Sequence, residues 1–253
     1  SMEHSNFDNQ SHCLNCHTQL VGEYCSGCGQ KKASRLTFKH LRILLQSALL
    51  ELESPFFKLL FGLLLRPFKT ILGYLNGQRS RFGNPFKFSF ILLTVIVLAS
   101  HLLEISFISS SQLLESKEQL KWQSEIALYE ATHIYRVFIL AFLLGLASKL
   151  VYRSAPYTML EYAIGHLLIL TLSILIFSIP LILGIFSEQL YAIFSLLFSG
   201  LYSIILNYRM AENELIKWKN WGKAILAYAI GSTLFSGILG FLFGVYSGFT
   251  HKI

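Results

Sequence analysis

The chain has 253 residues, 53% of them hydrophobic and 14% charged, with a formal net charge of +7. Soluble domains carry about 25% charged residues, and here the apolar residues gather in long uncharged runs, which excludes an ordinary soluble globular protein. Ala163–Phe186 is 24 residues without Asp, Glu, Lys or Arg, and Ala224–Tyr246 is 23. At about 1.5 Å per residue, either run crosses a hydrocarbon core of about 30 Å as a helix.

Residues 1–35 are polar and hold all four cysteines. Ser1 ahead of Met2 reads as a cloning remnant, and no apolar stretch of the secretory kind precedes residue 36, so the N-terminus is expected to stay cytoplasmic. Cys13-Leu14-Asn15-Cys16, eight residues, then Cys25-Ser26-Gly27-Cys28 is a pair of Cys-x-x-Cys turns. Two such turns supply the four thiolates that zinc takes tetrahedrally. Two disulfides would need an oxidising compartment. A structural Zn²⁺ is therefore expected, since four thiolates leave no open coordination position for catalysis. Gly27 and Gly29 suit the second turn; His12 and His17 sit beside ligands as bystanders.

Residues 36–87 are apolar but broken by charge. Residues 37–52 and 56–75 are predicted as two amphipathic helices, either in the membrane interface with cationic side chains snorkelling or packed on the transmembrane bundle, two readings that are compatible. Arg66, Lys69, Arg79 and Arg81 are the candidate contacts to anionic headgroups, each worth about 1 kcal/mol near a charged leaflet. Nucleic acid is the less favoured polyanion because apolar residues interleave with these cations.

Five spans follow: Phe88–Ile108, Ile134–Tyr152, Leu160–Phe186, Gln189–Tyr208 and Lys223–Tyr246. The second is the weakest, with Arg136 and Lys149 at its edges. Between Lys31 and Lys87 there are 11 Lys/Arg against Glu51 and Glu53, and the 209–223 connection is also basic. Basic loops mark the cytoplasmic side, so five spans with the N-terminus in and the C-terminus out put every basic segment on one face. The fold class is thus an all-α polytopic membrane protein, divided as ribbon 1–35, interfacial helices 36–87 and transmembrane bundle 88–253. A helix is predicted over 113–130 in the outer loop, from Leu113, Leu120 and Ala127 with a Lys121–Glu125 pair. Pro180 predicts a kink or helix end. No repeat of fixed period is visible.

Polar residues inside the spans are candidate functional groups. His101 and Glu104 share a face of the first span; Glu161 opens the third, with His166 deeper. Helix–helix hydrogen bonding is the expected fate of His101 and His166, while Glu104 and Glu161 lie near span ends within reach of interfacial water; the alternative is a proton or metal pathway. In the fifth span Ser232, Ser236, Gly240, Gly244 and Gly248 recur every four residues, the pattern that lets another helix approach closely. Packing within the chain is favoured over a homo-oligomer seam. No nucleophile elbow, phosphate loop or zinc-protease motif occurs.

Cys13, Cys16, Cys25, Cys28-Gly29-Gln30, Arg66-Pro67, Gly77-Gln78-Arg79 and Asn84-Pro85 together resemble an uncharacterised bacterial membrane-protein family, a domain of unknown function that opens on a zinc ribbon. The resemblance implies a ribbon ahead of a hydrophobic bundle and brings no activity with it. Five spans behind a cytoplasmic N-terminus are also similar in arrangement to Yip-type membrane proteins. The leading expectation is a non-enzymatic scaffold or regulator of the inner (plasma) membrane, contacting lipid or a cytoplasmic protein. A transporter or channel, homo-oligomeric in one form, is the alternative, and a lipid-modifying enzyme the third.

Overall fold

A computed structural model describes residues 11–32, 54–103, 132–211 and 217–250. The predicted helices at 37–52 and 113–130, and Glu104, lie outside the described residues. Those described are helical apart from the cysteine-rich segment and the turns, with no strand among them. The helices are α1 (Ser54–Leu65), α2 (Pro67–Leu75), α3 (Arg79–Phe82), α4 (Pro85–Leu102), α5 (His133–Val151), α6 (Met159–Ile182), α7 (Glu188–Met210) and α8 (Lys217–Thr250). Five stretches are long and apolar enough to cross a membrane: Arg79–Leu102, Ile134–Val151, Met159–Ile182, Glu188–Met210 and Asn220–Leu242. The five expected spans are all present.

Local chemistry sets the helix ends. Pro85 takes the first position of α4, where its missing N–H costs nothing, and the Asn84 side chain accepts from the Phe86 and Lys87 amides. Thr158 and Glu161 form a capping box at the start of α6. Pro180 ends that helix, as expected: α6 stops at Ile182, and the Ile185 amide donates back to the Pro180 carbonyl at 2.9 Å.

α6 is the centre of the bundle. In its most apolar window 72% is buried, against 11% for α8 at the edge. It packs against α5, α7, α4, α2 and α1, while α8 lies on α5 and α7. Glycine permits the closest crossing: a Cβ added at Gly145 of α5 would lie 2.6 Å from the Ala163 backbone nitrogen of α6. Outward faces stay greasy, with Val95, Leu98, Ile139, Phe142, Ile193, Leu197, Ile225 and Phe241 exposed. A patch of that extent is untenable in water and ordinary against lipid.

The predicted single helix 56–75 is two. The chain breaks at Arg66–Pro67, because proline has no amide to continue the ladder. α1 and α2 fold back into a V with Arg66 at the apex, so tight that a Cβ on Gly62 would meet Thr70 Oγ1 at 2.8 Å. Both arms return to α3: Pro55 lies against Gly83, and Gly73 lies against Gln78 and Phe82; beyond α2, the Asn76 side chain accepts from the Tyr157 hydroxyl of the α5–α6 connection at 3.3 Å. The hairpin does not stand apart from the spans. Leu59, Leu63, Ile71 and Leu75 belong to one apolar core with residues of α4, α5, α6 and α7. Phe68 stacks on Tyr202 of α7 at 5.2 Å, and the Arg209 guanidinium lies 4.8 Å over the Phe68 ring.

Candidate metal centre and polar interior

The cysteine segment is built twice, twelve residues apart. Cys13 N–H donates to Thr18 O and His17 N–H to Cys13 O, each at 2.8 Å; Cys25 N–H donates to Gln30 O and Gly29 N–H to Cys25 O at the same distance. Antiparallel bridges flank each turn, His12 with Gln19 and Tyr24 with Lys31. The repeat escaped notice in the sequence because only the cysteines are shared at matching positions. Both turns need a left-handed residue after the second cysteine: Gly29 at φ +69°, and in the first turn His17 at φ +61°. His17 is therefore a backbone element of its turn, where glycine would be easier. Gly27 serves by being small, since a Cβ there would lie 2.6 Å from Thr18 Oγ1.

The four Sγ atoms lie within 4.8 Å of one another. Cys13 and Cys28 are 3.6 Å apart, Cys16 and Cys25 3.3 Å, and all four are free thiols. Bonds of about 2.3 Å to a central zinc would set tetrahedral corners about 3.8 Å apart, so the donor set fits one ion with no coordination position left over. The thiols are unequal. Burial, first among its influences, pushes Cys13 up to about 11. Cys16 is exposed, and hydrogen bonding by the Thr18 side chain and then its backbone holds it down to about 6. The Asn15 side chain lowers Cys28, against burial.

The second turn is fastened to the membrane helices through the residue that closes it. Gln30 Nε2 donates to the Gly77 carbonyl at 2.6 Å, while Gln30 Oε1 accepts from Ser80 N at 3.1 Å and Ser80 Oγ at 2.8 Å. The cations predicted as lipid contacts thereby separate. Arg66 and Lys69 are exposed at the apex of the hairpin, and Arg81 is exposed with its guanidinium over Phe82. Arg79 turns inward: its Nε is buried, and its charge opposes the burial that pushes Tyr74 up to about 12.

Of the expected intramembrane group, Glu104 lies outside the described residues, and His101 and Glu161 stand apart. His101 is exposed near the far end of α4, and Glu161 is wholly buried at the opposite end, its Oε2 accepting from Thr158 N at 2.8 Å. His166 instead meets two residues that composition did not single out. Ser148 Oγ of α5 is 3.1 Å from its Nε2, and the Asn207 amide of α7 lies beside the ring. An unbroken apolar run hides a lone serine or asparagine, and only the helix pairing shows which of them converge.

The serine–glycine stripe of the fifth span turns outward at two of its positions. Ser236 and Gly240 are exposed, with nothing within 4 Å of a Cβ on Gly240, and Ser232 is half-buried. α8 packs instead through Asn220, Ala224, Ala227 and Gly231. The favoured expectation of packing within the chain is corrected at Ser236 and Gly240: α8 already meets α5 and α7 on another face. Gly244 and Gly248 continue the helix.

Residues 53–97 match the model of a family described as "Protein of unknown function (DUF3667)". The match takes in α1, α2, α3 and most of α4, so the resemblance to an uncharacterised domain family holds over the hairpin, the Gly77–Ser80 turn and the first span. No curated protein and no solved structure matches the chain.

Proposed function

We propose that this chain is a non-enzymatic scaffold or regulator of the inner (plasma) membrane, with its N-terminus in the cytoplasm and its C-terminus outside. In this reading a structural zinc ion folds the knuckle, the knuckle clamps the basic hairpin, and the two form one surface that engages anionic headgroups of the cytoplasmic leaflet. The observation that carries it is the three-bond attachment of Gln30 to Gly77 and Ser80. A ribbon tied to its own bundle is part of that surface rather than a free module on a tether.

Three further features support the reading. Four thiolates closed around an ion leave no place for a substrate. The outward side of α1 exposes Phe57, Phe61, Leu64 and Leu65 beside Lys58, with Arg66 and Lys69 at the apex, a greasy and cationic edge suited to a charged interface. The knuckle, the Asn76–Ser80 turn, the α5–α6 connection and the start of α8 gather at one end of the bundle, linked by Gln30, by Tyr157–Asn76 and by the Tyr152 hydroxyl donating to Asn220 O at 2.9 Å. That gathering agrees with basic connections on a single face. A cytoplasmic protein would meet the same surface, and the outward stripe on α8 supports a contact with a second copy.

The test is purified protein in native mass spectrometry with phosphatidylglycerol and phosphatidylcholine. One zinc per chain and retention of phosphatidylglycerol, lost in the combined Arg66→Gln, Lys69→Gln, Arg81→Gln variant, would bear the reading out. Equal retention of both lipids by both proteins would overturn the leaflet surface. Labelling that finds the knuckle and the 212–216 connection on opposite sides of the membrane would overturn the topology.

A further inference from the structure

His166 sits about 10 Å along α6 from its first residue, and its ring is wholly buried. The hydrogen bonds around it fix its tautomer. The Ser148 hydroxyl donates to the Leu144 carbonyl at 2.7 Å, which uses its one proton. Ser148 Oγ, 3.1 Å from His166 Nε2, must therefore accept from the ring. Nε2 carries the hydrogen, Nδ1 is left as a bare acceptor, and Nδ1 has no hydrogen-bond partner among the described residues.

From the α7 side, the Asn207 amide lies beside the ring, yet neither its oxygen nor its nitrogen makes a hydrogen bond of good geometry. Ser203, one turn along the same face, is also wholly buried with its hydroxyl unpartnered. The two helices thus bury an acceptor nitrogen beside a carbonyl oxygen and an amide donor, with a hydroxyl one turn further along α7, and none of the four has a hydrogen-bond partner among the described residues. In a hydrocarbon setting such groups are costly to leave unmade.

Their complement is a small uncharged molecule that both donates and accepts. A metal cation does not suit them, because none of the three side chains carries a counter-charge. Glu161, about one and a half turns before His166, spends Oε2 on its N-cap. The residues packed around neighbouring Gly165 are Ile71 and Leu206. We propose that His166, Asn207 and Ser203, with Ser148 setting the tautomer, form an intramembrane site for water or another small neutral hydrogen-bonding molecule. Water there donates to Nδ1 and accepts from the Asn207 amide, with the Ser203 hydroxyl as the third contact.

Water-edited solid-state NMR of the ¹⁵N-histidine protein in lipid bilayers tests this, with His166→Gln assigning the resonance. The expected result is a ring protonated at Nε2, bare at Nδ1, and polarised from water far faster than the core amides. A proton on Nδ1, or build-up as slow as the core, overturns the site. Asn207→Leu gives an independent measure in monodisperse detergent-solubilised protein. Where the interior is dry, the apolar side chain removes unpaired polar atoms, so an unchanged or raised Tm overturns the proposal. Where water is held, the change strips its partners and Tm falls.

Discussion

Gln30 and Ser80, 50 residues apart, are joined by two hydrogen bonds to one carboxamide oxygen, from the serine amide and its hydroxyl. The backbone carbonyl of the same Gln30 accepts from Cys25 and closes the second metal turn. One residue therefore faces both ways, its main chain shaping the metal centre and its side chain gripping the turn between α2 and α3. Metal binding and the position of the hairpin are mechanically linked through it.

Gln30→Ala should cost about 1–3 kcal/mol, because the buried Gly77 carbonyl loses its partner and the Ser80 donors lose theirs. Gln30→Glu should do no better than a partial repair: a carboxylate accepts from Ser80 but cannot donate to Gly77. Thermal unfolding of the zinc-loaded protein and protease cleavage within Gly77–Ser80 read both variants. Unchanged cleavage in Gln30→Ala would show that the grip is unimportant.

Stripping the metal with a chelator, or Cys25→Ser, should unfold the knuckle while the spans stay helical by circular dichroism, since a segment this small draws its folding energy from the ion. Protons offer a second readout. Zinc binds thiolates, and the thiols of an unfolded segment are mostly protonated at about pH 7. Zinc added at about pH 7 in weak buffer should therefore release protons as it folds the knuckle, and Cys16→Ser should release fewer.

Gly145→Val should separate α5 from α6 and destabilise the bundle by at least about 1–3 kcal/mol, because the added atoms meet the Ala163 backbone rather than a side chain that can swing away. Gly240→Val has open space and should change monomer stability by less than about 0.5 kcal/mol. The pair separates two roles of small residues in membrane helices. Loss of a cross-linked dimer in Gly240→Val alone would mark α8 as the seam between copies; an unaltered dimer would rule that face out.

Thr158→Ala should cost about 1 kcal/mol by removing the side chain that caps α6 at the Glu161 amide, 3.2 Å away. Thr158→Ser keeps the oxygen and should recover most of the loss. Equal melting of the two variants would show that the cap contributes little.

The sequence by itself determined the class and which four cysteines would cluster. Uncharged runs long enough to cross a bilayer need no partner to be recognised, and two Cys-x-x-Cys turns carry their geometry locally. Pro67 carries the break after Arg66, yet the expected single helix over 56–75 ran straight through it. The tertiary structure decided where neighbours matter. Nothing in the order of residues pairs Gln30 with Ser80, brings Asn207 and Ser148 to His166, turns Arg79 inward toward Tyr74, or points Ser236 and Gly240 outward. In a bundle whose helices are apolar on nearly every side, the pattern along one helix does not specify which face meets protein and which meets lipid. Close approach at Gly145 and Gly231, and the polar groups buried with it, settle that choice.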